Sequence, residues 1–437
     1  MVIDLIIRNG KIVTHNNERL ADIAIKNGKI FKIGKLLNLK SKKNIDAKGL
    51  HVLPGAFDTQ VHFREPGNTK KENLKTGSLA AVAGGITSVF DMPNNRPSIT
   101  TKKLFMKKLQ TAKKRMHCNY AFYFGAEKDN INEIKKVEKV KGCCGVKVFV
   151  GSSTGTLLVS NHTDIEKIMR ATKKMISFHS ENEDMLISRK KYAKKGKPLS
   201  HQVWRNVDTA LSSTRKLIRS ANRSKKKIHV LHITTAEEIK LLLRNRKYVS
   251  FEVTPQHLIL ASPDCYKKLG TYSQMNPPIR GTRHRNVLRK TLQKGQIDII
   301  GSDHAPHLKS EKNKIYPNSP SGMPGVQTLL PILLNEVTKK TISLNEVVKL
   351  TSFNPKKIFK IKNKGLIKVG YDADLTIVDM NKTKKVLNKD MKTKCGWTPF
   401  NGMKLQGWPV GTIINGKAAF WKNKINKSVF GSPISFN

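Results

Sequence analysis

Cysteine is scarce: five in 437 residues, at 118, 143, 144, 265 and 395. The number is odd and no Cys-x-x-Cys pair occurs. This excludes a disulfide scaffold and fits a reducing, cytoplasmic setting with buried or idle thiols. Aromatic residues make up 6%. They do not interleave with the basic clusters Arg189, Lys190, Lys191, Lys194, Lys195 and Lys225, Lys226, Lys227, as a base-stacking surface would require. No run of about 18 apolar residues exists, so no membrane span is expected. The opening Met1-Val2-Ile3-Asp4-Leu5-Ile6-Ile7 has no basic region ahead of its apolar residues and reads as a strand, not a signal peptide.

Acidic residues are the largest deficit. There are 31 Asp+Glu against 82 Lys+Arg, a formal charge of +51. A dedicated nucleic-acid binder concentrates such charge in a tail or on one face. Here it is spread over the polar sides of helical patterns and loops. No specific nucleic-acid partner is expected, although the field would attract anions. The hydrophobic fraction is 38%, and it falls in dense blocks. That excludes sustained disorder and suits one large barrel or two to three ordinary domains.

Both ends of the chain read as short strands with Asn-Gly turns, at Asn9-Gly10, Asn27-Gly28 and Asn415-Gly416. The middle alternates apolar runs with helical patterns. The runs are Gly55 to His62, Ile86 to Met92, Asn119 to Gly125, Val146 to Val150, Met175 to His179, Ile228 to His232, Val249 to Val253, and Ile297 to Gly301. Helix starts are expected at Thr163, before an Ile165, Ile168, Met169, Thr172 stripe. Thr235 with Glu238 and Ser343 with Glu346 read as capping boxes. Eight such units predict an α/β fold, a (β/α)₈ barrel over 54–362. A small β-sandwich built from both termini (1–53 and 363–437) is expected beside it. A doubly wound open sheet is the alternative for the middle.

In such a barrel, chemistry sits at the C-terminal strand ends. Gln60 and His62, two apart, face one side. With Lys147, His179, His232 and Asp303 they can converge on one point. Imidazoles and a carboxylate suit Zn²⁺ or a similar ion. A lysine joins such a set only as a carbamate, which requires a neutral amine. His15, His51, His117, His162, His201, His229 and His284 fit no such pattern and read as surface or structural.

The segments Leu53-Pro54-Gly55 to Arg64-Glu65-Pro66-Gly67, Gly84-Gly85-Ile86-Thr87 to Met92-Pro93-Asn94, Val230-Leu231-His232, Met275 to Arg280, and Gly301-Ser302-Asp303-His304-Ala305-Pro306-His307 resemble the cyclic-amidase branch of the amidohydrolase superfamily. Within it the chain is most similar to the dihydroorotase family. Arg64 before Glu65-Pro66-Gly67 discriminates, because a guanidinium matches a ring carboxylate that neutral hydantoins and dihydropyrimidines lack. The resemblance implies reversible cyclisation of N-carbamoyl-L-aspartate to dihydroorotate in pyrimidine biosynthesis. It implies one or two Zn²⁺ ions on Gln60, His62, Lys147 (as carbamate), His179, His232 and Asp303. A metal-activated water would attack the ring amide, with Asp303 as acid and base. Arg64, Asn94 and His307 would hold the carboxylate, and Asn276 with the backbone near Gly325 the ring amide. Gly151 to Gly155 would close over substrate or stay a passive loop.

Gln60-Val61-His62 departs from the superfamily's His-x-His, and a neutral amide oxygen is a weaker donor for zinc. Cys395-Gly396-Trp397 resembles the subset that shares the glutamine. The resemblance also implies a homodimer or higher homo-oligomer, and it admits aspartate transcarbamoylase as a partner. Another cyclic amidase, or a non-catalytic scaffold for that transcarbamoylase, are the alternative readings.

Overall fold

The computed structural model describes residues 2–153 and 155–437. The alternation in the middle of the chain is realised as eight parallel strands hydrogen-bonded in sequence order. They are Ala56–Val61, Ile86–Asp91, Asn119–Gly125, Cys143–Phe149, Met175–His179, Ile228–Val230, Val249–Val253 and Ile299–Ile300. Six of the eight are buried at every position, as expected of parallel strands covered on both faces.

The eighth strand is only two residues long. The barrel closes beyond it, where His62 N–H donates to His304 O (2.8 Å) and His304 N–H to Gln60 O (3.3 Å). Asp58 reinforces this seam, its Oδ1 accepting from Ser302 N (2.9 Å) and Gln60 N (3.2 Å). Burial raises the Asp58 carboxyl to about 7.

The helices form where capping and stripe agree. Helix Val207–Arg223 is capped by Asn206, whose side chain accepts from Thr209 N. It buries Ala210, Ser213, Thr214, Leu217, Ile218 and Ala221, one face at a 3.6-residue period. Thr235 and Glu238 form the full reciprocal box; Ser343 accepts from Glu346 N. The stripe from Ile165 is helical, but its cap is Asn161, not Thr163, because the Asn161 side chain already accepts from Thr163 N. No helix among the described residues is long and apolar enough to cross a membrane.

Strands from the two ends join in one nine-stranded, mainly antiparallel sheet. Its centre pairs His51–Pro54 with Leu375–Lys385, so the two ends of the chain meet there. Ile7, Ile23, Ile25, Val52, Leu375, Ile377 and Ile413 form its separate core. The segment after the sheet returns to the barrel. Tyr120 N–H donates to Ser432 O and Gly142 N–H to Ile434 O. The five cysteines are buried and unpaired.

A fully buried ion pair stands behind the second strand. Lys108 Nζ lies 2.6 Å from Asp91 Oδ2, and also donates to Asn95 Oδ1 (2.8 Å) and Met92 O (3.2 Å). Asp91 Oδ1 accepts from Phe63 N (2.7 Å). Removing one partner strands a buried charge. Lys108→Met should therefore cost about 3–5 kcal/mol, read as a drop in the urea midpoint; an unchanged midpoint would show that the pair contributes nothing.

Candidate active site

Gln60, His62, Arg64, Asn94, Lys147, His179, His232, Asn276 and Asp303 line one cavity at the C-terminal mouth of the barrel, with Phe149, Ser153, Ala305, Ser321 and Gly322. Three of these residues, Arg64 (φ 60°), His232 (φ 38°) and Asp303 (φ 44°), hold left-handed backbone just past a strand end. For non-glycine residues that costs about 1–3 kcal/mol each, a cost typical of functional sites.

The tautomers follow from the partners. His62 Nδ1 is 2.7 Å from Asn94 Oδ1, an acceptor, so Nδ1 carries the proton. Its Nε2 lone pair then faces Asp303 Oδ1 at 3.2 Å. His179 Nε2 donates to Glu181 Oε2 (2.8 Å), which leaves its Nδ1 lone pair toward His232 Nε2 at 3.0 Å. Burial holds His62 and His179 below the usual imidazole range; burial, His179 and Lys147 hold His232 well below it.

Gln60 Nε2 donates to Asp303 Oδ1 (3.1 Å), while Gln60 Oε1, His232 Nδ1 and Lys147 Nζ are buried without a hydrogen-bond partner. Burial lowers the Lys147 ammonium to about 7. Neutral imidazoles, a carboxylate, an orphaned amide oxygen and an easily deprotonated amine are what a borderline cation requires. The imidazoles and the carboxylate stand as two pairs, 62 with 303 and 179 with 232. Among the described residues no three His, Cys, Asp or Glu side chains are gathered for a metal. Gln60 and Lys147 are the residues that would complete a set.

Arg64, also on the lining, is buried and its Nε has no partner among the described residues. Among the described residues no carboxylate lies within ion-pair distance of it. Burial lowers its guanidinium to about 10. His307 stands behind Arg64, 3.3 Å from Nη2, and its Nε2 donates to Ser321 O (3.0 Å). Its Nδ1 accepts from Lys71 (3.1 Å), and burial with Arg64 and Lys71 holds it neutral. Trp397 Nε1 donates to His307 O (2.8 Å), so the Cys395-Gly396-Trp397 segment braces this wall.

His307 and Gly325 do not line the cavity. Gly325 N–H is committed to His304 Nδ1 (3.1 Å), and a Cβ there would lie 2.8 Å from Ser302 O. Gly322 is the glycine on the lining. Thr154 of the 151–155 loop lies outside the described residues; Ser153 reaches the cavity, and Ser152 N donates to Glu183 (2.5 Å). The enclosed space is about 20 Å³, room for about one water.

A model of the amidohydrolase family matches residues 51–419. The chain belongs to this family. It is 36% identical to a dihydroorotase of Methanosarcina acetivorans, over 97% of this chain and 93% of that protein. It is 32% identical to a dihydroorotase of Bacillus subtilis, over 97% and 99%. An L-hydantoinase (dihydropyrimidinase) structure from Arthrobacter aurescens superposes with TM-score 0.93 at 27% identity, over 97% of this chain and 98% of that one. The chain is thus a hydrolase of the cyclic-amide branch, and enzymes of this family generally use metal ions.

This amidohydrolase has second-layer residues that sequence reasoning overlooked. Glu181, two residues past His179, is held at about 2: burial pushes it up, and Arg205 with His179 outweigh that. Arg205 bonds both Glu181 and Ser152 O, tying the 151–155 loop to the His179 wall. The i, i+2 spacing of His179 and Glu181 is a signal for a carboxylate that orients a ligating imidazole.

His201, read as structural, orients Asn276. Its Nε2 faces Met275 O (3.1 Å) and so carries a proton. That proton is shared with Asn276 Oδ1 (2.9 Å), which turns the Asn276 NH₂ toward Ser153 (3.4 Å) and the cavity. No sequence spacing links residues 201 and 276.

Burial keeps His201 neutral down to about 3, and His257 and His284 down to about 4, against an ordinary 6.5. Between pH 6.5 and 4 the unfolded chain binds these protons and the folded one does not. Their contribution is therefore complete above pH 6.5 and is lost as pH falls. Asp58, raised from 3.8 to about 7, acts in the opposite direction across this whole window. Three imidazoles outweigh one carboxyl, so the urea midpoint should fall from pH 7 to pH 4.5. A flat profile would show that the folded protein accepts these protons.

Proposed function

We propose that this cavity interconverts N-carbamoyl-L-aspartate and dihydroorotate, as the dihydroorotase step of pyrimidine biosynthesis. The carrying observation is Arg64: a buried guanidinium on the cavity lining, with its Nε unpartnered and no carboxylate in ion-pair contact among the described residues. A buried unpaired charge is costly unless a ligand completes it. Dihydroorotate carries a ring carboxylate that a guanidinium can take bidentately. Hydantoin and dihydrouracil carry none, so Arg64 favours dihydroorotate over them as the ligand.

Gln60, His62, Lys147, His179, His232 and Asp303 would hold one or two metal ions, with zinc the best match to the donors. With its pKa lowered to about 7, a substantial fraction of the Lys147 amine is neutral near pH 7 and can add carbon dioxide to give a carbamate and a proton, which supplies anionic oxygens. When bound, the metal polarises the amide carbonyl and acidifies water. Asp303 touches Gln60 and His62 at the reacting end of the cavity. It takes the proton from the attacking oxygen and delivers it to the departing nitrogen. In the ring-closing direction it carries the proton the other way. Arg64 and Asn94 hold the spectator carboxylate, with His307 bracing Arg64. Asn276, oriented by His201, offers its NH₂ to a ring carbonyl.

Purified protein supplied with zinc and bicarbonate should interconvert the two compounds, with ring closure favoured at mildly acidic pH. Opening of hydantoin without turnover of dihydroorotate would overturn the reading. Arg64→Met should lower kcat/KM for dihydroorotate about 100-fold or more, the cost of leaving a carboxylate unpaired. Equal turnover in that variant would remove Arg64 from recognition. Asp303→Asn should keep its metal and lose about 10²–10⁴ in kcat; normal turnover would exclude Asp303 as the proton carrier.

A further inference from the structure

The excess of basic residues has one arrangement that is not diffuse. Lys173-Lys174 precede the fifth barrel strand, Lys226-Lys227 the sixth and Arg246-Lys247 the seventh. Parallel pairing sets Ile176 beside Ile228 and Ile228 beside Val249. Three doublets far apart in the chain therefore stand side by side at the N-terminal rim of the barrel. This is the end away from His179 and His232, which sit at the other ends of the same strands.

The doublets border a cavity of about 440 Å³, within the range of small-ligand sites. Lys357 and Lys360, at the end of helix Asn354–Phe359, close another side. Asp298 is the one acidic side chain on the lining, and it is already committed to Arg246 and to Phe251 N (2.9 Å). Glu138 lies behind the rim, where it accepts from Lys173 N and Thr172 Oγ1.

Eight cationic side chains against one acidic side chain, on eighteen lining residues that include Asn437, is about three times the chain's mean density of net positive charge. Such crowding destabilises the rim by self-repulsion. The Lys226 ammonium donates to Thr172 O, and burial first, then Lys360, lowers it to about 8. The floor is apolar where Tyr248, Ile358 and Phe359 reach it. A concave, nucleotide-sized hollow differs from the extended basic stripe that tracks a nucleic-acid backbone.

We propose that this rim cavity is a binding site for a small polyphosphate anion, such as the phosphate chain of a nucleotide. The lysine doublets would contact the phosphates as point charges, and Tyr248 would border the rest of the ligand.

The test is calorimetric titration of the full chain with inorganic triphosphate and with ATP at ~150 mM salt, where diffuse attraction is screened beyond about 8 Å. Dihydroorotate is present to fill the catalytic cavity. One saturable site is expected. Lys226→Gln/Lys227→Gln should weaken it about tenfold or more, the loss of two charge-assisted contacts. So should Lys357→Gln/Lys360→Gln, on an exposed helix end that tolerates change if the first pair unfolds. Lys194→Gln/Lys195→Gln, in a basic run elsewhere, should leave it unchanged. Tighter ATP than triphosphate would identify a nucleotide ligand; equal binding would identify phosphate as the whole determinant. Absence of saturable binding, equal weakening in the 194/195 pair, or displacement of triphosphate by tighter-binding duplex DNA would overturn the proposal.

Discussion

The seam between the first and eighth barrel strands is the constraint on which the site depends. The eighth strand is two residues long, so backbone pairing alone barely closes the barrel. Asp58 completes it by accepting from Ser302 N and Gln60 N on either side of the gap. Gln60 and His62 rise from one side, and Asp303 from the other. Their mutual distances of 3.1 and 3.2 Å are therefore set by the closure. A carboxylate buried here costs desolvation, visible as its raised pKa, and that cost is tied to the geometry it secures.

Two kinds of side chain share the lining of the cavity. One is rich in lone pairs: neutral imidazoles, a carboxylate, an amide oxygen and an amine close to neutrality. The other is rich in donors: Arg64, with a neutral His307 behind it, and the Asn276 amide. A ligand with a polarisable carbonyl at one end and a carboxylate at the other fits this division. The left-handed backbone at Arg64, His232 and Asp303 shows what placing those side chains requires of the chain. The second layer, Glu181 with Arg205 and His201 with Asn276, restricts rotation so that the donors need little reorganisation when a ligand arrives.

Much of the fold was legible because parallel strands buried on both faces give apolar runs, and those runs bounded the observed strands closely. The third, fifth and seventh match to the residue. The eighth was the least legible: its run shrank to Ile299–Ile300, since its role is taken by side-chain and backbone bonds beyond it. Helix starts were readable where a capping box set the register, as at Thr235 with Glu238. Where two stood close, as at Asn161 and Thr163, only geometry chose. Gly325 was expected at the ring amide but is turned away, since its N–H is used by His304.

Sequence by itself determined the alternating architecture, the strand-end donors and a guanidinium, Arg64, just past the first barrel strand. These are local properties, written in periodicity, spacing and residue chemistry. Tertiary structure alone decided which histidines matter to the site and which lysines form a group. His201 reaches Asn276, and Lys174 stands near Lys227 and Lys247, through contacts between residues distant in the chain. Such pairings arise from strand register and loop packing, and no periodicity within a single segment encodes them.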